Sequence, residues 1–386
     1  MVRIAARGEG VTEGGRFVPL SAPGDLVEED GSIVPGPGRQ APPCRHFPEC
    51  GGCQLQHLTD AAFADYCRDR VTGALAQQGI AAEVRNAVLS PRNSRRRATL
   101  RALQAGREVV LGFNAAGSKR IIDMRENHIL RPELIALLSP LRALLGQLLA
   151  PRKMAEVQMT LADEGVDLAL TGVPVDGLAA IEALNAFCAA NRLARLGIDE
   201  GHGIEIRFEP VPATITLSGR AVPLPPGAFL QATAEGEAAL VAAVREAVAE
   251  ARRPLDLFAG LGTFALALPG RVSAAEASRD AALALRSAAP DVATQHRDLY
   301  RRPFDRTELD AHDAVVLDPP RAGAEMQVRA LAESNLPRIA YVSCNPATFA
   351  RDARILVEGG YRLLWVLPVG QFLWSTHVEL AAAFAR

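Results

Sequence analysis

At 386 residues, 49% of them apolar, the chain has material for two or three domains and a sizeable core. A net charge of −2 neither requires nor excludes a nucleic-acid partner, so local charge distribution has to decide. The start of the chain lacks an apolar h-region and no stretch approaches the roughly 20 apolar residues of a membrane span, which sets aside a secreted or membrane-embedded protein. Six cysteines, three of them crowded at Cys44, Cys50 and Cys53, do not make a disulfide framework. The expectation is a monomer in a reducing, cytoplasmic setting.

Residues 1–42 alternate short β-forming runs with glycines, and Asp30-Gly31 is a hairpin signal. They read as a small barrel of the oligonucleotide-binding kind or as a plain hairpin extension. Residues 43–83 hold Cys-x5-Cys-x2-Cys, then a helix expected over 60–79 with Asp60 as its N-cap and Gly79 at its end. Thiolates at this spacing can wrap one metal centre, and spacing alone does not choose between zinc and an iron–sulfur cluster. Residues 84–227 read as alternating strands with one helix at 176–191. Gln158–Leu161 and Val166–Leu170 form a hairpin, and the run 223–227 is a linker. Between Ser90 and Arg125 there are nine Arg/Lys against two Asp/Glu, with Arg95, Arg96 and Arg97 consecutive. Such a stretch suits phosphate backbones or is simply a solvated loop.

From 228 to 386 helices and strands alternate. Strands are expected at 254–258, 272–276, 314–317, 339–342 and 362–369. Helices are expected at 234–251, after the glycines of 260–262, and near 278–288, 324–333 and 347–357. A last strand begins at His377. This is the pattern of a doubly wound, mostly parallel sheet, in which ligands bind at the carboxyl ends of strands. Three features fall at those ends. Asp256-Leu257-Phe258-Ala259-Gly260-Leu261-Gly262 is a glycine turn, and the next strand ends in Glu276, suited to ribose hydroxyls. Asp318-Pro319-Pro320-Arg321 holds an acid at the rim. Cys344, in Val342-Ser343-Cys344-Asn345-Pro346, puts a thiol where a strand gives way to a turn. With no phosphate-loop lysine and no third spaced glycine, S-adenosylmethionine suits the turn better than a nucleoside triphosphate or NAD.

These motifs, with His377-Val378-Glu379, Phe229-Leu230-Gln231 and the cysteine cluster, resemble the series found in RNA (uracil-C5) methyltransferases, the S-adenosylmethionine-dependent enzymes that make 5-methyluridine. The resemblance implies an α/β protein. Its C-terminal domain would be a Rossmann-like methyltransferase, its central domain β-rich and RNA-binding, and its N-terminal segment short and barrel-like. It implies Cys344 as nucleophile and Glu379 as general base. It implies Gln231, Phe258, Glu276 and Asp318, with Thr263 and Asp298, around the cofactor. It implies Cys44, Cys50 and Cys53 as ligands of a [4Fe–4S] cluster. Here the chain departs from the family: the fourth cysteine belongs in 121–132, where Asn127 takes its place with His128 beside it. Either His128 ligates, or Cys67 moves in, or one iron is left open, or the cluster is absent.

The chemistry implied is addition of the Cys344 thiolate to C6 of uracil. This makes C5 nucleophilic, and proton removal by Glu379 follows methyl transfer. A base outside its stack is required. The barrel-like start favours 23S rRNA over tRNA. The competing readings are a tRNA uridine-C5 methyltransferase and an iron–sulfur RNA-binding protein without methyl transfer.

Overall fold

Short runs between 254 and 385 build seven strands of one nine-stranded sheet in the computed structural model, which describes residues 1–386. The strands Ala293–His296, Ser273–Glu276, Pro254–Leu257, Ala314–Leu317 and Arg338–Ser343 lie side by side in that order, all parallel. Next come Glu379–Ala385, antiparallel to both its neighbours, and Arg362–Gly370. Two short strands, Glu83–Val84 and Val88–Leu89, complete the sheet beside Arg362–Gly370. They straddle residue 84, so this sheet recruits chain from well before 228.

Period-two alternation sorts the sheet's side chains between two layers. Tyr341, Leu380, Ala382 and Phe384 join the large core beneath the helices Asp60–Gln77, Glu325–Glu333 and Pro346–Glu358. Ala340, Val342, Ala381 and Ala383 pack with Leu240 and Val244 of the helix Ala234–Ala247 on the opposite face. Helices on both faces explain why these strands read as continuous apolar runs.

A second sheet of six strands has the order Ile204–Phe208, Arg195–Asp199, Gly165–Thr171, Met154–Ala162, Arg97–Ala105 and Glu108–Gly112. Its one parallel pair, Gly165–Thr171 with Arg195–Asp199, is joined by the helix Gly177–Asn191, the crossover that parallel strands need. The N-terminal residues form a three-stranded sheet (Arg3–Ile4, Gly10–Val11, Phe17–Val18) and a separate hairpin (Leu26–Val27, Ile33–Val34) turning at Asp30-Gly31. These are two small pieces, not one closed barrel.

Several local expectations need correction. The helix from Asp60 is capped by Thr59, whose hydroxyl accepts from the Ala62 N–H, and not by Asp60. The stretch 132–148 forms helices Pro132–Ala136 and Leu138–Leu148, not the expected strands. The glycine turn leads only into a short 3-10 turn, Ala265–Ala267. Residues 214–223 are a hairpin packed against the helix Arg279–Ala288, with Arg220 paired to Asp291 at 2.6 Å.

The arginine run is the largest correction. Residues 90–97 cross from the first sheet to the second, and after the exposed Pro91–Asn93 the side chains of Arg95, Arg96 and Arg97 turn inward. Arg96 is 7% exposed. Its Nε donates to the Gln231 carbonyl at 3.0 Å and its Nη2 to Glu237 at 2.5 Å. Burial pushes the Glu237 carboxyl up, and Arg96 pulls it back. A residue so placed does not reach a phosphate backbone. Arg96→Met should therefore cost about 3 kcal/mol in urea unfolding, because it strands a buried carboxylate. A loss below about 1 kcal/mol would mean that water replaces the guanidinium.

Candidate active site

The chain leaves Pro254–Leu257 toward one edge of the sheet and returns through Ala314–Leu317 toward the other. A crevice opens at such a switch point. On its first side lies the glycine turn, with Phe258 at φ 63° and Gly260 at φ 55°. At Gly262, φ 94°, an added Cβ would stand 2.5 Å from Leu285 Cδ1, so only glycine fits there. Asp256 is fully buried beneath the turn and accepts from the Ala265 N–H at 2.8 Å. Burial pushes its carboxyl up to about 8. Glu276 bolts two loops together, accepting from Gly260 N–H at 2.8 Å and Ser278 N–H at 2.6 Å. The rings of Phe258 and Tyr300 are 5.6 Å apart, and Asp298 accepts from the Tyr300 N–H at 3.0 Å. No hydrogen bond ties Thr263 to these groups.

On the other side stands the thiol. Strand Arg338–Ser343 pairs antiparallel with Glu379–Ala385, Ser343 opposite Leu380. Cys344 comes just after Ser343 and Glu379 just before Leu380, and the two lie near enough for the carboxylate to act on the thiol. Cys344 follows the strand directly, and Asn345 caps the helix Pro346–Glu358. Burial pushes the thiol up to about 11, with Glu379 and Asp318 adding to the shift and Arg321 opposing it. Glu379 is 5% exposed; burial raises its carboxyl to about 7 against stabilisation by Gln371 and Arg97. Asp318 is driven well above its ordinary range by burial, then by Glu379 and Asp256. Its Oδ2 lies 3.5 Å from Gln231 Nε2. The structure thus brings Cys344, Glu379, Asp318 and Gln231 together, with Phe258, Glu276 and Asp298 across the crevice.

The cysteine cluster lies apart. Cys44, Cys50 and Cys53 line one narrow cavity whose far wall is Met124 and Glu126–His128. Nowhere in the chain are three His, Cys, Asp or Glu side chains gathered tightly enough to form a preassembled metal site. Asn127 is committed elsewhere: its Oδ1 accepts from the Ile129 and Leu130 N–H groups at 2.9 and 2.8 Å. His46 Nε2 accepts from the Arg125 N–H at 3.0 Å. Cys67 is wholly buried in the core beside Gly370 and Phe63, which removes it from the alternatives. His128 Nε2 is buried without a hydrogen-bond partner, 3.7 Å from Glu126. The three thiols thus share a cavity without converging on one point, and no fourth thiol joins them.

Between the cysteine loop, the second sheet and the thiol's edge lies a cavity of about 730 Å³. Arg7, Arg70, Arg101 and Arg321 line it, together with Phe113 and His377, and none of its lining residues is acidic.

The last 94 residues of the fold just described, 293–386, match the family model described as tRNA (uracil-5-)-methyltransferase. An uncharacterized RNA methyltransferase of Zymomonas mobilis is 47% identical, over 100% of this chain and 99% of its own. A 23S rRNA (uracil(1939)-C(5))-methyltransferase of Chromohalobacter salexigens is 34% identical, over 92% of this chain and 78% of its own. The chain belongs to the RNA (uracil-C5) methyltransferase family. Its architecture is shared with a Pyrococcus abyssi tRNA (uracil-54, C5)-methyltransferase, solved with S-adenosyl-L-homocysteine. The TM-score is 0.77, with 100% of this chain and 98% of that one covered at 23% identity. That likeness bears out the expected α/β fold with its mostly parallel sheet.

Two residues of the site do not stand out individually in the sequence. Arg321 is visible there only as the end of Asp-Pro-Pro-Arg. Gln371 carries the signal that exposes Cys344, a polar residue immediately after an apolar strand, here Arg362–Gly370. No helix of the chain is long and apolar enough to cross a membrane.

Proposed function

We propose that this protein methylates C5 of a uridine in RNA, with 23S rRNA as substrate and S-adenosylmethionine as donor, through a covalent Cys344 adduct at C6. The observation that supports it is the nearness of the Cys344 thiol to the buried Glu379 carboxylate at the ends of two paired strands. The rRNA assignment is supported by the 34%-identical relative named for that substrate. The setting is cytoplasmic, where such RNA resides.

S-adenosylmethionine, when bound, supplies a methyl carbon on a positively charged sulfur. Glu276 and Asp298 carry acceptors for hydroxyls, Phe258 an apolar face for a flat base, and Thr263, Gln231 and Asp318 complete the polar lining. At neutral pH a thiol at about 11 keeps its proton in the free protein, so nucleophilic attack requires that the proton pass to water as the S–C6 bond forms, and the thiolate expelled at the end takes one back from water. The C5=C6 electrons then shift toward C5. Once C5 carries the methyl group, Glu379 accepts the C5 proton. That C–H pair rebuilds the double bond and expels the sulfur from C6. A carboxyl at about 7 is protonated and idle at lower pH, so the rate should rise with pH through that value.

Cys344→Ala should abolish both transfer of labelled methyl to RNA transcripts and the covalent adduct, while S-adenosylmethionine binding stays near normal. Glu379→Gln should let the adduct accumulate as a shifted band on a denaturing gel. Methylation by the Cys344→Ala protein would sink the proposal. The arginine cavity reads as the seat of the RNA backbone. Replacing Arg7 and Arg70 by Gln should lower the slope of log affinity against log salt by about two, one for each phosphate no longer neutralised; an unchanged slope would place the RNA elsewhere. The same reading puts an iron–sulfur cluster on Cys44, Cys50 and Cys53, with a fourth site not held by cysteine. It is supported by three thiols sharing one cavity and enters no step above. Protein purified anaerobically should carry iron and acid-labile sulfide; colourless, iron-free and active protein would remove the cluster.

A further inference from the structure

Gln371 stands where the donor side and the thiol side of the site meet. It is 2% exposed. The Ala232 N–H donates to its Oε1 at 2.9 Å. A backbone N–H can only donate, so this contact fixes which way the carboxamide faces. Both N–H bonds of Gln371 therefore point away from Ala232. One donates to Gln231 Oε1 at 2.8 Å. That contact orients Gln231 in turn and leaves its Nε2 facing Asp318 Oδ2 at 3.5 Å. Val369 is the register partner of Glu379, so Gln371, two residues on, sits beside that carboxyl, and its carboxamide favours the charged form. The charged and titratable groups facing Glu379 come from three other elements. Arg97 begins the strand Arg97–Ala105, Asp318 follows Ala314–Leu317, and Cys344 follows Arg338–Ser343. Of these only Arg97 favours the carboxylate.

We propose that Gln371 is a positioning residue that couples the base to the methyl-donor end of the site: its carboxamide lies against Glu379 and sets Gln231 to donate toward Asp318, and the Ala232 N–H dictates the direction of the whole chain. The inference rests on the function proposed above. Without that carboxamide Glu379 faces two acidic neighbours with Arg97 alone to offset them, and Gln231 is free to turn its oxygen toward Asp318. The coupling has a physical basis in the shared amide, because one rotation would disturb both ends at once.

The test uses the full chain with Gln371→Met, similar in volume but without a donor, and Gln371→Glu, which still accepts from Ala232 but presents a carboxylate to Glu379. Single-turnover methyl transfer is followed from about pH 5.5 to 9. In parallel, the Glu379 carboxyl is titrated by carbon-13 NMR, with its signal assigned by loss in Glu379→Gln. In Gln371→Met the acid limb and the carboxyl titration should both move up by about one pH unit, a loss of about tenfold in rate near pH 6.5. The rate should recover to within about twofold at the alkaline end. KM for S-adenosylmethionine should rise several-fold. Gln371→Glu should move the limb further in the same direction, and it carries the comparison if Gln371→Met does not fold. A rate lowered equally at every pH, with the carboxyl titration unmoved, would reduce Gln371 to packing and overturn the inference. The carboxyl titration needs no turnover, so a wild-type protein that fails to methylate RNA refutes the function while the shift still judges Gln371.

Discussion

The site depends on the antiparallel insertion of Glu379–Ala385 between two strands that the chain laid down earlier. All seven of its residues are buried. Four alanines let it slot between helix layers already in place. Its register is pinned by its own alternation: Leu380, Ala382 and Phe384 fill one layer, Ala381 and Ala383 the other. Glu379 shares the parity of the second set, as Cys344 shares that of Ala340 and Val342. A slip of one residue would turn the carboxylate to the wrong face and drive Phe384 into the alanine side. The same packing that stabilises the sheet therefore fixes which face the acid and the thiol share.

That placement carries an electrostatic cost. Asp256, Asp318 and Glu379 all lie in low-dielectric surroundings, and each shift is led by loss of solvation. Each negative charge makes the next harder to form, and the thiol feels two of them. Partial relief comes from groups that cannot move away: the Ala265 N–H for Asp256, the Gln371 carboxamide and Arg97 for Glu379. A pocket in this condition favours a ligand bearing positive charge, which is the charge of the proposed donor's sulfur. Asp256 also shows that a raised carboxyl need not be catalytic. Its work is to tie the glycine turn to the strand beneath it.

How much of this was legible in the sequence follows from what each signal depends on. The sheet's strands and the helices between them were readable because both faces are covered and the apolar runs are unbroken. The thiol, Asp318 and Glu276 were readable because each interrupts such a run at its carboxyl end. The strand Ala293–His296 was not, because three of its four residues are polar, the fourth is an alanine, and it lies at the sheet's edge. The helix Leu138–Leu148 was hidden by Pro140. In the structure Pro140 falls in the first turn, where its missing N–H costs nothing. Asn127 occupies the position of an expected ligand, yet its side chain closes a turn on the Ile129 and Leu130 N–H groups, a use visible only with the backbone in hand.

The arginines show why charge in a sequence is not yet a surface. Arg95, Arg96 and Arg97 are adjacent in the chain and diverge in space. Arg96 serves Glu237 and the Gln231 carbonyl, Arg97 bears on Glu379, and Arg95 lies near Cys53 with its guanidinium over Phe372. One tripeptide thus meets the donor end, the base and the cysteine cavity. Burial, and after it the neighbouring Arg95, lowers Arg97 to about 10. The residues that do share an open, acid-free cavity are Arg7, Arg70, Arg101 and Arg321, contributed by four segments with more than 300 residues between the first and the last. No local count of charge can find such a group, because only the docking of the two sheets and the cysteine loop brings it together. An RNA bound there would lie against Arg321 and His377, the one stretch of cavity wall that the thiol's edge also shares. The fold that buries one set of arginines to build the site therefore gathers a different set along an open cavity.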